Sequence, residues 1–311
     1  MAIDAHLANP RGFCAGVDRA IEIVERALEI YGPPVYVLHE IVHNRHVLED
    51  LSSRGVKFVR ELKEAPNGSV MIYSAHGVSD AVVAEGGRRN LRVIDATCPL
   101  VTKVHEQAQA YAGGEREVIL IGHSGHPEVE GTRGRIRGKV HVLATADEVA
   151  ALQVDDPSRL AFVTQTTLSV DDTREAITAL KSRFPDIQGP NLKDICYATQ
   201  NRQNAVRELV AKVDLLLVVG SANSSNSSRL QELGERSGVP SYLIDDADQV
   251  DPSWLEGKQK IGVTAGASAP EALVQELLTR LGSLGVEAIH EEPGQRETVV
   301  FQMPANLQDE Q

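Results

Sequence analysis

The sequence is short of positive charge. Its 31 Lys and Arg face 44 Asp and Glu, giving a formal net charge of −13. A surface that binds DNA or RNA needs basic patches to displace counterions, so nucleic acid is excluded as a main partner. No apolar run approaches the ~20 residues of a membrane span; the best, 215–220, has the length of a buried strand. The N-terminal MAIDAHLANPRGF lacks the basic start and apolar stretch of a secretory signal. Cysteine is scarce too: three residues, an odd number that cannot all pair and forms no disulfide framework. Neither G-x-x-x-x-G-K-[ST] nor G-x-G-x-x-G occurs, so nucleotide binding has no support. These absences point to a protein of a reducing cytoplasm with no membrane partner.

The 311 residues, 42% apolar and 24% charged, are those of a globular chain with room for two or three domains. Short runs rich in β-branched residues at 35–38, 70–73, 118–121, 160–164, 215–219 and 260–264 predict strands apolar on both faces. Amphipathic stretches at 17–31, 101–112, 173–184, 201–213 and 270–281 predict helices between them. Such alternation implies right-handed βαβ units around parallel sheets.

Aligning the chain on its cysteines exposes a threefold repeat. Cys14, Cys98 and Cys196 lie 84 and 98 residues apart, and each is followed at once by a helix. Each helix leads to a strand with a polar loop, then to a short strand, then to another strand with a second polar loop. The first loops carry His43, His126 and Ser224, which lie 29, 28 and 28 residues after their cysteines. The second carry His76, Thr166 and Ser268, at 62, 68 and 72. The expected architecture is α/β: three pseudo-repeated lobes with small parallel sheets, spanning 10–97, 98–195, and 196–284 with 1–9, followed by a tail, 285–311. The N-terminal run 5–9 is expected to complete the third lobe's sheet, since its place before a cysteine matches 92–95 and 192–194. The tail holds strand-like runs at 286–289 and 298–301. If the lobes surround a pseudo-threefold axis, three cysteines and six polar loops meet at one point.

A thiolate at a helix start is stabilised by unsatisfied N–H groups and the helix dipole. Three thiolates without a fourth suit an iron–sulfur cluster with one open iron better than a closed tetrahedral zinc site. Taken singly, each cysteine reads better as a small buried apolar residue; the repeated context reverses that reading for the set. The loop residues His43, His76, His126, Ser224, Ser225, Asn226 and Ser268 offer N–H and O–H donors without Lys or Arg. With loop amides and helix dipoles they would make an anion cage fit for a phosphate ester; one such loop alone is an ordinary turn or cap. Glu128 places a carboxylate among them. Beside an anion its pKa should rise and it could donate a proton, with Thr166 relaying or orienting that proton.

Two other readings compete. The run 39–43 fits H-E-x-x-H, the pattern of zinc hydrolases, which needs both histidines on one helical face. The strand-like PVYVL before it argues that His39 sits at a strand end instead. A redox-sensing or scaffold protein could carry a cluster without a substrate pocket, leaving the loop donors and Glu128 without a purpose.

The segments LANPRGFCAGVDRAI, HEIVHN, SAHGV, DATCPLV, GHPEVEGT, TQTTLSVDDT, DICYATQNRQ, GSANSSNS and AGASAPE resemble the LytB-type 4-hydroxy-3-methylbut-2-enyl diphosphate reductases, from residue 7 to about 302. The resemblance implies three α/β lobes around a central [4Fe–4S] cluster ligated by Cys14, Cys98 and Cys196. It implies a substrate diphosphate held at His43, His76, His126, Ser224, Ser225, Asn226 and Ser268. Glu128 becomes the proton donor, with Thr166 near the reacting hydroxyl, and ferredoxin or flavodoxin the electron donor. The implied reaction is a reductive dehydroxylation of an allylic diphosphate, yielding isopentenyl and dimethylallyl diphosphates.

Overall fold

A computed structural model describes residues 3–307; residues 1–2 of the expected third lobe and 308–311 of the expected tail lie outside the described residues. The chain begins with β1 (Ile3–Leu7), α1 (Ala15–Tyr31), β2 (Val35–Leu38), α2 (Arg45–Ser53), β3 (Val56–Val59), β4 (Val70–Tyr73), α3 (Asp80–Arg88) and β5 (Arg92–Asp95). It continues through α4 (Pro99–Gly113), β6 (Glu117–Ile121), α5 (Pro127–Arg133), β7 (Val140–Leu143), β8 (Leu160–Thr164) and α6 (Val170–Arg183). The last third holds α7 (Tyr197–Val210), β9 (Leu215–Val219), α8 (Ser225–Arg236), β10 (Ser241–Ile244), β11 (Lys260–Ala265), α9 (Glu271–Ser283) and β12 (Val286–Glu291). No helix among the described residues is long and apolar enough to cross a membrane.

Internal contacts divide the chain into two compact units. The first comprises the chain up to Ala15, His43–Val47 and Tyr197–Val300; the second, Gly16–Val42, Leu48–Cys196 and the chain from Phe301. The second unit contains two all-parallel sheets, ordered β3-β2-β4-β5 and β7-β6-β8. The first contains one, ordered β10-β9-β11-β1-β12 and also parallel throughout. One rule generates all three. The first strand after each cysteine's helix is central; the next strand pairs on one side of it and the third on the other. Chain direction therefore reverses its progress between β2 and β4, β6 and β8, and β9 and β11. Such switch points open a crevice at the carboxyl ends of the strands.

Period-2 alternation fixes the packing. In β9, Leu215, Leu217 and Val219 join Leu273, Val274, Leu277 and Leu281 of α9 on one face. Leu216 and Val218 join Val206, Leu209 and Leu230 of α7 and α8 on the other. Both faces are covered, so the strand reads as an unbroken apolar run.

Three particulars refine the sequence expectations. β1 sits between β11 and β12, inside the five-stranded sheet, as the run before Cys14 suggested. The first strand-like run of the tail joins that sheet as β12, whereas 298–301 has no regular structure. The run 192–194 is not a strand either. Asn191 takes a positive φ of 59° in a turn, and a single bridge from Ala161 to Gln188 stands where the other sheets have a fourth strand. The turn-forming Gly189-Pro190-Asn191 there breaks the extended path that Leu192 and Lys193 would need.

Candidate functional site

Each cysteine occupies the same local position. Cys14 precedes α1, Cys196 precedes α7, and Cys98 is the N-cap of α4 with Pro99 in its first turn. All three are partly buried and none forms a disulfide. Their backbone amides are anchored alike. Cys98 N–H donates to the carbonyl of Ala75 at 3.0 Å, Cys196 N–H to Thr166 at 3.1 Å, and Cys14 N–H to Ala267 at 3.3 Å. Ala75, Thr166 and Ala267 each lie two residues beyond the end of the third strand of their sheet, at Tyr73, Thr164 and Ala265. The first-loop residues keep step as well: His43, His126 and Ser224 each lie five residues past the central strand, at Leu38, Ile121 and Val219. Among the described residues no group of three or more His, Cys, Asp or Glu could hold a metal ion as placed. What unites the cysteines is therefore their shared setting. Three half-buried thiols at helix starts, with no fourth, are a donor set suited to an iron–sulfur cluster with one open iron.

In the second unit the loop residues form a continuous chain of contacts. The rings of His76 and His126 meet edge to face, centroids 5.7 Å apart. His126 is the N-cap of α5, and its Nδ1 accepts the Glu128 N–H at 3.1 Å. An accepting Nδ1 leaves the ring proton of neutral His126 on Nε2, where it can be donated to a ligand. Glu128 is buried, with Oε1 accepting Thr166 N–H at 2.6 Å and Oε2 accepting the Thr166 hydroxyl at 3.0 Å. Burial raises its carboxyl from the ordinary 4.5 to about 7; the two Thr166 bonds oppose the rise and nearby Asp194 adds to it. The shift was expected from a bound anion. Desolvation produces it here without one.

Asp194 went unnoticed in the sequence. It is buried two residues before Cys196, its Oδ2 accepts Thr164 N–H at 3.2 Å, and desolvation raises it to about 6. The available signal was an aspartate shortly before a cysteine in both DATC and DIC. Gly77, next to His76, has a φ of +76°, and a Cβ there would lie 2.6 Å from the ring of buried His105. Only glycine allows that turn to lie so close to α4.

The first unit gathers hydroxyls and an amide instead. Ser224 caps α8, whose first residue is the half-buried Ser225. The Ser268 hydroxyl donates to the carbonyl of His43 at 2.8 Å and lies 3.3 Å from the Ser224 hydroxyl, which is 3.0 Å from that of Ser227. Asn226 Oδ1 accepts Ala267 N–H at 2.8 Å, and its amide donates toward the Thr199 hydroxyl at 3.4 Å. Arg45, two residues after His43, pairs its guanidinium with Asp246 at 2.6 Å. The structure thus brings together His43, Ser224, Asn226 and Ser268 in one unit, and His76, His126, Glu128 and Thr166 in the other.

The H-E-x-x-H run has no helix under it. His39 takes a φ of 61°, the stretch through His43 is irregular, and α2 starts only at Arg45, its entry capped by Asn44 Oδ1 accepting Val47 N–H at 3.1 Å. The two histidines are not a helical turn apart, as the zinc reading requires.

Comparison with known proteins identifies relatives of the whole chain. The family model of the LytB protein matches residues 5–282. The 4-hydroxy-3-methylbut-2-enyl diphosphate reductase of Alcanivorax borkumensis is 60% identical over 305 residues, 97% of this chain and 98% of the relative. That of Chromohalobacter salexigens is 59% identical over 307 residues, 97% of each. The solved structure of the E-1-hydroxy-2-methyl-but-2-enyl-4-diphosphate reductase from Plasmodium falciparum superposes with a TM-score of 0.95 at 38% identity, covering 99% of this chain and 97% of that one.

Proposed function

The chain belongs to the LytB family, and on that premise we propose that it reduces (E)-4-hydroxy-3-methylbut-2-enyl diphosphate to isopentenyl and dimethylallyl diphosphates, the closing step of the methylerythritol phosphate route. Two electrons and two protons enter, the C–O bond of the allylic alcohol breaks, and water leaves. Cys14, Cys98 and Cys196 are assigned as ligands of a [4Fe–4S] cluster, and the lobes 10–97, 98–195, and 196–284 with 1–9 as its three repeated supports. When bound, that cluster supplies a Lewis-acidic open iron and the path for the electrons. The observation that carries the reading is the threefold identity of the cysteine settings, each amide tied to the carbonyl two residues past a strand at a switch point.

The chain's own residues divide the remaining work. His43, Ser224, Ser225, Asn226 and Ser268, with His76 and His126, hold the diphosphate through N–H and O–H donors, a remote handle that positions the reacting carbon. Hydroxide is a poor leaving group, so cleavage needs a proton. Glu128, with a pKa near 7, keeps one at neutral pH while remaining acidic enough to give it up. The Thr166 hydroxyl, 3.0 Å from Glu128 Oε2, stands next in line to pass or aim it. A ferredoxin or flavodoxin is the assigned electron donor, and a reducing cytoplasm the assigned setting.

Anaerobic purification with iron and sulfide counts, followed by Mössbauer spectra with and without the diphosphate, tests the proposal. Four irons per chain, one of them changing coordination on addition of substrate, is the expected result. A chain that binds no iron, or that leaves the diphosphate unreduced when supplied with electrons, overturns it.

A further inference from the structure

Arg202 is fully buried, yet its strongest partners lie far away along the chain. Its Nε donates to the carbonyl of Gly12 at 3.0 Å, and its Nη2 donates to Gly12 at 2.7 Å and to Phe13 at 2.9 Å. Its Nη1 donates to the carbonyl of Ala198 at 3.0 Å and to Glu297 at 3.0 Å. The same carboxylate accepts the Asn201 amide at 2.9 Å. Gly12 and Phe13 are the two residues immediately before Cys14. A buried guanidinium is costly unless its donors are matched and its charge is balanced; the two carbonyls and Glu297 meet both needs. Glu297 comes from the irregular stretch after β12, 283 residues beyond Cys14.

Two weaker counterparts exist. Arg19, five residues after Cys14, donates from Nη1 to the carbonyl of Thr97, just before Cys98, at 3.1 Å, and from Nε to Gln302 at 2.7 Å. Lys103, five residues after Cys98, reaches the carbonyl of Lys193, three residues before Cys196, at 3.4 Å. Arg202 is itself six residues after Cys196. Each helix that follows one cysteine thus sends a cation to the carbonyls ahead of another.

We propose that Arg202, held by Glu297, is a positioning residue that fixes the Gly12–Phe13 carbonyls and thereby the direction in which Cys14 presents its sulfur, with Arg19 and Lys103 serving Cys98 and Cys196 in the same way but more weakly. Lysine cannot replace Arg202, because one ammonium cannot span the Gly12 and Phe13 carbonyls and Glu297 together. The C-terminal stretch is then a latch on a ligand loop. The inference rests on the cluster reading of the cysteines.

The test uses the anaerobically purified holoprotein and its Arg202→Lys, Glu297→Gln, Arg19→Lys and Lys103→Ala variants. Iron release to a ferrous chelator and the low-temperature EPR spectrum of the reduced protein are recorded. Unfolding midpoints of the metal-free chains are measured in parallel. Release should be about tenfold faster for Arg202→Lys, about threefold for Glu297→Gln and Arg19→Lys, and about 1.5-fold for Lys103→Ala. The EPR line shape should change in Arg202→Lys. These differences should persist when each variant is compared at the same interval below its own unfolding midpoint. Wild-type release from Arg202→Lys, or an acceleration that disappears at matched intervals, overturns the inference. A wild-type chain without iron and sulfide overturns the cluster reading instead.

Discussion

Five residues past the central strand, the unit with the five-stranded sheet carries Ser224, hydrogen-bonded to Ser268 and Ser227. At the same step past β6, the other unit carries His126, which caps a helix whose second residue is a buried acid. One backbone plan serves both, with parallel strands, a switch point and loops at the carboxyl ends. The side chains diverge by task. Ser224 is surrounded by short hydroxyls, those of Ser227 and Ser268, which would suit the proposed hold on a group of constant charge. Around Glu128 the partners are arranged about a carboxyl raised to about 7, which would suit the proposed proton donor. A repeated scaffold keeps geometry constant and lets each copy specialise through a few loop positions.

The contrast can be broken in several ways. On the proposed ligand set, Cys98→Ser should leave almost no bound iron; iron content equal to wild type would remove Cys98 from that set. Glu128→Gln should lower kcat by roughly 10²–10⁴-fold with KM nearly unchanged. A comparable rise in KM would make the acid a binding group and erase the division of labour. Ser268→Ala should do the reverse, raising KM about three- to tenfold and sparing kcat, since one neutral hydrogen bond contributes ~1 kcal/mol. Steady-state kinetics on both variants decides the matter.

Titration sharpens the comparison further. Turnover should fall as pH rises through about 7 and Glu128 loses its proton, and this limb should be missing from the residual rate of Glu128→Gln. Stability follows the same group. Its folded pKa lies above the ordinary 4.5, so the stabilisation of the neutral form is complete below pH 4.5 and is lost as pH rises through about 7. The ionised carboxylate then costs ~3 kcal/mol at pH 8. Urea unfolding should show Glu128→Gln more stable than wild type at pH 8 and no more stable at pH 4.5.

Much of this was legible in the residues. The strands 35–38, 70–73, 160–164 and 215–219 coincide with β2, β4, β8 and β9 because apolar β-branched runs buried on both faces leave little ambiguity. The cysteine spacing exposed the repeat, and TQTTLS placed Thr166 in a loop; Glu128, read as a loop residue, is instead the second residue of α5, and the structure joins the two by two hydrogen bonds. What escaped depends on distant partners. Arg202 lies in the polar run TQNRQN and reads as an exposed helical arginine; only its contacts with Gly12, Phe13 and Glu297 make it a buried one. Asp194 looked like part of a strand because local propensity cannot see that the turn at Asn191 ends the extended path. Residues 298–301 had β-branched composition but no partner strand.

The place of β1 has a consequence for biogenesis. β1 pairs with Lys260–Val263 on one side and Val286–Glu291 on the other, so both its neighbours are synthesised long after it. Until they emerge, the opening segment with its thiol has no ladder to join, and such remote pairing is slow to form. A nascent chain stalled before Val286 would therefore lack one of the two ladders that flank β1, and the segment leading to Cys14, half buried in the finished protein, would stay unanchored on that side.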